Sequence, residues 1–259
     1  MTMSDQTQAG QAIAWNGDLV RSRFLDAISL LLPAAETFLL GTIGEWLHLA
    51  AGQLTPSQRA DVDRFLAEEE AHQRVHHRYN HDLLALRPAL AEVARRAERL
   101  ADGVKTLPLQ ERVALAAAFE QLTALLSKEL LAHEHLLGRC SSPQARIWRW
   151  HAREELSHRH VALIAAAQSR VGYAARCTAY LAASAYLLSD VLSLWWAACR
   201  CDARAGVPRM ALLGQAACFA LRSLPSMARM AWGWLAYWRP GALRHLIGQG
   251  SAAPSMSPR

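Results

Sequence analysis

Six residues at matched spacings could do chemistry in this 259-residue chain. Glu36 is followed 33 residues later by Glu69 and then by His72, and Glu120 is followed 35 residues later by Glu155 and then by His158. On an α-helix, residues three apart lie about 60° from each other around the axis and reach one patch of space. Glu69 with His72, and Glu155 with His158, can each direct a carboxylate and an imidazole at one point. Two lone glutamates from two further helices complete four carboxylates and two imidazoles, the set with which a four-helix bundle holds two metal ions. Oxygen-rich donors with two imidazoles suit iron first, with manganese or zinc as alternatives, over a thiolate-preferring metal. One Glu-x-x-His arises by chance in many helices; two copies, each with a lone Glu at similar distance, are a far more specific signal.

The neighbours of the lone glutamates bear on this. Ser29, Leu32, Pro33, Leu39, Leu40 and Ile43 share a face with Glu36, so its carboxylate should be buried, which costs several kcal/mol unless it is paired or metal-bound. Glu120 lies among Val113, Ala116, Ala117, Thr123, Ala124 and Ser127, a stripe of small residues that leaves room for a metal, an oxygen species or a substrate. The competing reading of each lone Glu is a buried salt bridge to one of the many arginines. His76, seven residues past Glu69, and His151, four before Glu155, extend the two stripes. They can be further ligands, partners that orient a ligand, a general base, or polar histidines satisfied by hydrogen bonds. His77, His81, His133, His135 and His160 fall outside the pattern and are expected to face solvent.

Caps and breakers place these residues on helices. A first helix is expected over about 21–49, with Pro33 a kink or a fresh start. Thr55-Pro56 opens a second that reaches about 86, and a connecting helix covers 88–102. A third spans 109–137 and is closed by Gly138; Ser142-Pro143 opens a fourth that ends near Gly172. Apolar helices follow at 173–204, 208–223 and 225–238. The turns near Gly52 and at 138–143 lie close to midway between Glu36 and Glu69, and between Glu120 and Glu155, so each pair meets at one height in an antiparallel hairpin. The fold class is all-α: a ferritin-like four-helix bundle with a long crossover plus additional C-terminal apolar helices. Four segments follow: a disordered 1–20, the metal-binding bundle 21–172, Arg/Trp-rich helices 173–240 packed on it, and a flexible tail 241–259.

Composition bounds the setting. Apolar residues make up 52% of the chain, enough for a sizeable core. Five cysteines show no disulfide framework. The polar N-terminus lacks the pattern of a signal peptide, which fits a cytoplasmic protein, at the inner face of the membrane if it touches one. Residues 173–259 hold nine Arg and two acids, while residues 1–172 are nearly neutral. Residues 177–199 carry one charge, a length that could span a bilayer, against which stand Asp190 and several Ser and Thr. This region is expected to pack on the bundle; the alternatives are peripheral membrane contact through 173–240, a homodimer interface, or the cover of a hydrophobic channel. Nucleic acid is not expected as a partner, since no motif for it is present and the aromatic residues sit in apolar helices.

The stretches LLPAAETFLL, FLAEEEAHQRVHHRYN, ALAAAFEQLTALL and IWRWHAREELSHRHVAL, in that order, resemble the bacterial family of predicted metal-dependent hydrolases. The resemblance implies functional positions at Pro33 with Glu36, at Glu69 with His72 and His76, at Glu120, and at His151 with Glu154, Glu155 and His158. Ala35 stands where the family pattern has glycine, and Ser157 where it has an acid. Within this frame His76, His151 and Glu154 are the catalytic candidates, and Glu36, Glu69, His72, Glu120, Glu155 and His158 the metal ligands. Three functions compete: O2-dependent oxidation of a small hydrophobic molecule by a di-iron centre, hydrolysis by a metal-activated water, and non-catalytic metal binding or a membrane-associated helical protein.

Overall fold

The computed structural model describes residues 14–250. Among them are eight α-helices and no strand: α1 Leu19–Ala50, α2 Pro56–Leu86, α3 Ala91–Val104, α4 Leu109–Ala132, α5 Pro143–Gln168, α6 Tyr173–Arg204, α7 Arg209–Tyr237 and α8 Ala242–Gly250. The chain is all-α, as its helix formers and lack of β-branched runs require.

Local chemistry sets the helix starts. The Thr55 hydroxyl accepts from Gln58 N at 3.2 Å while the Gln58 side chain accepts from Thr55 N at 3.0 Å, closing a capping box with Pro56 in the first turn. The Ser142 hydroxyl accepts from Ala145 N at 3.2 Å ahead of Pro143.

Four boundaries depart from the sequence expectation, each because of a distant partner or an open side. α4 stops at Ala132, five residues early, because Asn16 takes the Leu136 carbonyl and the Gly138 N–H, each at 2.8 Å, and holds this segment as a turn. For the same reason residues 14–20 are not disordered: Trp15 and Asn16 are buried and Leu19 begins α1; residues 1–13 lie outside the described residues. α7 runs unbroken through Pro225. Proline removes one hydrogen bond, to the carbonyl of Leu221, and both residues are exposed. Finally, Ala242–Gly250 is helical where a tail was expected, with Ala242 and Leu246 buried.

Two helical hairpins, α1–α2 and α4–α5, form a square in which α1 also meets α4 and α2 meets α5. α3 makes the crossover between them and packs on α1. The closest pair, α4 and α5, meets through small residues, among them Ala116, Ala117, Ala162 and Ala165, all fully buried. The alanine stripe beside Glu120 thus brings helices together.

α6 lies across the α1 and α4 side of the square, and α8 against α5. A buried charge cluster fixes the C-terminal end of α6. Asp202 accepts from Arg23 Nε and from Arg87 Nη2, each at 2.7 Å, and Asp26 accepts from Arg23 Nη1 at 2.7 Å and from Trp15 Nε1 at 2.9 Å. Two arginines and two aspartates balance, so the cluster joins α1, α2 and α6 with no net buried charge. α1 and α6 are both long and apolar enough to cross a membrane; the apolar window of α1 is 67% buried inside the protein, that of α6 only 28%.

Candidate metal centre

All six predicted ligands are buried, and all but Glu120 fall in two groups of converging donor atoms. Donor atoms of Glu69, His72, Glu155 and His158 lie within 4.8 Å of one another, and so, in a second group, do those of Glu36, His76 and His151. Glu155 sits between the groups, with Oε1 3.2 Å from His151 Nε2, 3.7 Å from His72 Nδ1 and 3.8 Å from His158 Nδ1. His158 Nδ1 approaches Glu69 Oε1 to 2.6 Å without the alignment of a hydrogen bond.

No Arg or Lys among the described residues pairs with Glu36, Glu69, Glu120 or Glu155, so the reading of a salt bridge to arginine fails; Glu69 and Glu155 lie at ion-pair distance from histidines alone. Both oxygens of Glu36 and of Glu69, and one each of Glu120 and Glu155, are buried without a hydrogen-bond partner. Such atoms cost free energy unless something satisfies them. The electrostatics agree. Burial, then the charges of Glu69 and Glu155, push the Glu36 carboxyl well above the usual carboxylate range. Burial, then Glu155 and Glu69, does the same to Glu120. Burial would also raise Glu69, but His158 and His72 beside it outweigh this and bring it down to about 2. Bound metal cations would supply the positive charge that these acids do not receive from arginine or lysine.

The imidazoles are aimed by partners on their far sides. His72 Nε2 donates to Glu154 Oε2 at 2.9 Å, and Trp150 Nε1 donates to Glu154 Oε1 at 2.8 Å. His158 Nε2 donates to Glu68 Oε2 at 2.9 Å. Each carboxylate fixes the Nε2 proton, and Nδ1 faces the centre, where it would serve as a ligand atom on giving up its proton to a metal. The arrangement is crossed: α2 carries Glu68, which holds the histidine of α5, and α5 carries Glu154, which holds the histidine of α2. Glu154 therefore stands behind His72, part-exposed, and not at the centre where the catalytic assignment had it.

His76 is set by a longer chain. Pro33 has no N–H for the Ser29 carbonyl one turn back, and Asn80 Nδ2 donates to that oxygen at 2.7 Å. This fixes the Asn80 amide, whose Oδ1 accepts from Ser29 Oγ at 2.7 Å. Ser29 Oγ then accepts from His76 Nδ1 at 2.8 Å. The proton sits on Nδ1, and the Nε2 lone pair, buried and unpartnered, points to the second group. Burial holds His76 neutral, bringing its pKa down to about 3. Burial, then His72 and His76, lowers His151 well below the usual range. Neutral imidazoles with free lone pairs are ligands in waiting.

Of the other histidines, His77 and His81 are exposed as expected, whereas His133, His135 and His160 are half-buried. His135 and His133 contact Ser226 and Arg229, partners on α7 that helical spacing does not reveal. Glu68 was missed. Its signal was the doublet Glu-Glu-x-x-His, present at Glu68–His72 and again at Glu154–His158.

An apolar slot of about 150 Å³ lies between α1, α4 and α6, lined by Ala35 and Phe38 of α1, Leu115 and Phe119 of α4, and Ala182, Ala183 and Tyr186 of α6. Ala35 and Phe119 directly precede Glu36 and Glu120.

A family model described as predicted metal-dependent hydrolase matches residues 3–241 of the chain. No curated protein and no solved structure matches it.

Proposed function

We propose that this chain, which belongs to the predicted metal-dependent hydrolase family, is a dinuclear enzyme that oxidises a small hydrophobic molecule with O2. Glu36, Glu69, His72, Glu120, Glu155 and His158 would hold two irons, with His76 and His151 as two further ligands. The observation that supports the reading is a set of four buried carboxylates without an arginine or lysine partner, three of them grouped with imidazoles that turn a ring nitrogen inward. Iron bound there would supply the reduction of O2. The protein's own part is to hold His72 and His158 by Nε2, to keep His76 and His151 neutral, and to exclude water by complete burial. Burial also favours oxidation over hydrolysis, because O2 is small and apolar, and the slot between α1, α4 and α6 has aromatic and aliphatic walls suited to an apolar substrate.

One observation favours a second reading. Four imidazoles, two more than the bundle pattern needs, bring the donor set closer to that of a hydrolytic centre in which two metals activate water. Metal analysis of protein purified without chelators, then anaerobic ferrous loading and exposure to O2, separates the readings. About two irons per chain and a transient absorption on mixing with O2 are expected. Two zinc or manganese ions with no oxygen reaction would replace oxidation by hydrolysis, and no bound metal at all would overturn both. Glu69→Ala and Glu155→Ala should each abolish stoichiometric binding.

A further inference from the structure

α6 and α7 run antiparallel along the outside of the bundle. Trp195 lies 5.8 Å from Phe219 toward one end, Tyr180 lies 4.2 Å from Tyr237 toward the other, and Trp234 Nε1 donates to Ser184 Oγ at 2.9 Å between them. Their inner faces pack on the protein, but their outer faces do not. On α6, Leu181, Leu188, Leu192 and Trp196 recur at helical spacing along one exposed stripe, which Arg200 and Arg204 continue. On α7, a helix of 29 residues, the buried ones are Leu212, Phe219, Ser223, Ser226 and Tyr237. Met210, Leu213, Leu221, Leu224, Trp232 and Leu235 are all more than half exposed. Apolar patches of this extent mark an interaction surface.

Charge decides what covers it. Asp190 and Asp202 are the only acids after residue 172; both are buried, and Asp202 already accepts from Arg23 and Arg87. The exposed charges of the two helices are arginines, Arg200, Arg204, Arg209, Arg222 and Arg229, with Arg239 just past the end of α7. Of these, Arg229 is paired with Glu129 of α4 at 2.8 Å, and the others face outward with no exposed carboxylate on their own helices. A second copy of this face would set arginine against arginine with no acid between, which disfavours self-association. Leucine and tryptophan bordered by arginine is instead the composition of a helix lying in a lipid headgroup layer. We propose that the outer face of α6 and α7 rests on a bilayer containing anionic lipids, with the leucines and tryptophans at the acyl boundary and the arginines among the phosphates. α6 then has the membrane on one side while Ala183 and Tyr186 line the apolar slot on the other, so a substrate dissolved in lipid is one helix away.

Flotation of the full-length, metal-loaded protein with vesicles tests this independently of the metal chemistry. It should bind phosphatidylcholine vesicles that contain phosphatidylglycerol, bind pure phosphatidylcholine at least about tenfold more weakly, and lose the difference in high salt. Leu221→Glu combined with Leu224→Glu should lower binding at least about tenfold while helicity and metal content stay unchanged. Failure to float with either vesicle overturns the proposal. So does a dimer in solution that the double variant breaks while vesicles remain unbound, since the occupant would then be a second copy.

Discussion

An imidazole can serve a metal through either nitrogen, and the group behind the ring decides which. Here Glu154 and Glu68 make that choice for His72 and His158. Glu154→Gln and Glu68→Gln keep the size but lose the charge. Each should weaken metal affinity roughly 10–100-fold with the fold retained, whereas Glu70→Gln on the exposed side of α2 should change nothing; equal affinities in all three by metal titration would refute the orienting role. Asn80→Ala should uncouple the chain from Ser29 to His76, leaving one tight metal equivalent and one weakened; two undiminished equivalents would remove His76 from the ligand set. The grouping of Glu69 with His72 and of Glu155 with His158 was legible because side chains on one helix obey its period. Glu68 was not, because its partner lies across the bundle, and the use of Pro33 emerges only when the Ser29 carbonyl is seen beside Asn80.

Helix starts at Thr55 and Ser142 were legible because a cap acts within four residues. The end of α4 at 132 and the continuity of α7 through Pro225 were not, because the first depends on Asn16 and the second on the open surroundings of Pro225. The attachment of α6 is equally non-local. Asp202→Ala would leave Arg23 and Arg87 buried without their shared anion and should destabilise the protein by about 3–5 kcal/mol, measurable by denaturant unfolding. Dissection of α6 from its inner side gives a different result. Ala183→Leu projects into the slot, and should abolish turnover of an apolar substrate while two metals remain bound. A fall in metal content instead would show that the slot and the centre are one cavity.

Across the whole molecule, the division of charge, with nine arginines and two acids after residue 172, was visible at once, but the exposed face it belongs to required the packing. The buried acids tie global stability to cations. At metal a thousandfold above its Kd the folded state gains about 4 kcal/mol, so chelation should lower Tm by roughly 10 °C; a scan unchanged by chelator would mean the carboxylates are satisfied without metal. The crossed pairing of Glu68 with His158 and Glu154 with His72 bears on how such a protein is assembled. Neither hairpin owns a finished donor set, since each supplies the brace for a ring it does not carry. Metal capture is therefore a joint act of the two halves of the chain. An emerging polypeptide with only α1 and α2 complete would not retain metal at an oriented position, and loading at the proposed centre would wait until α5 has arrived and docked.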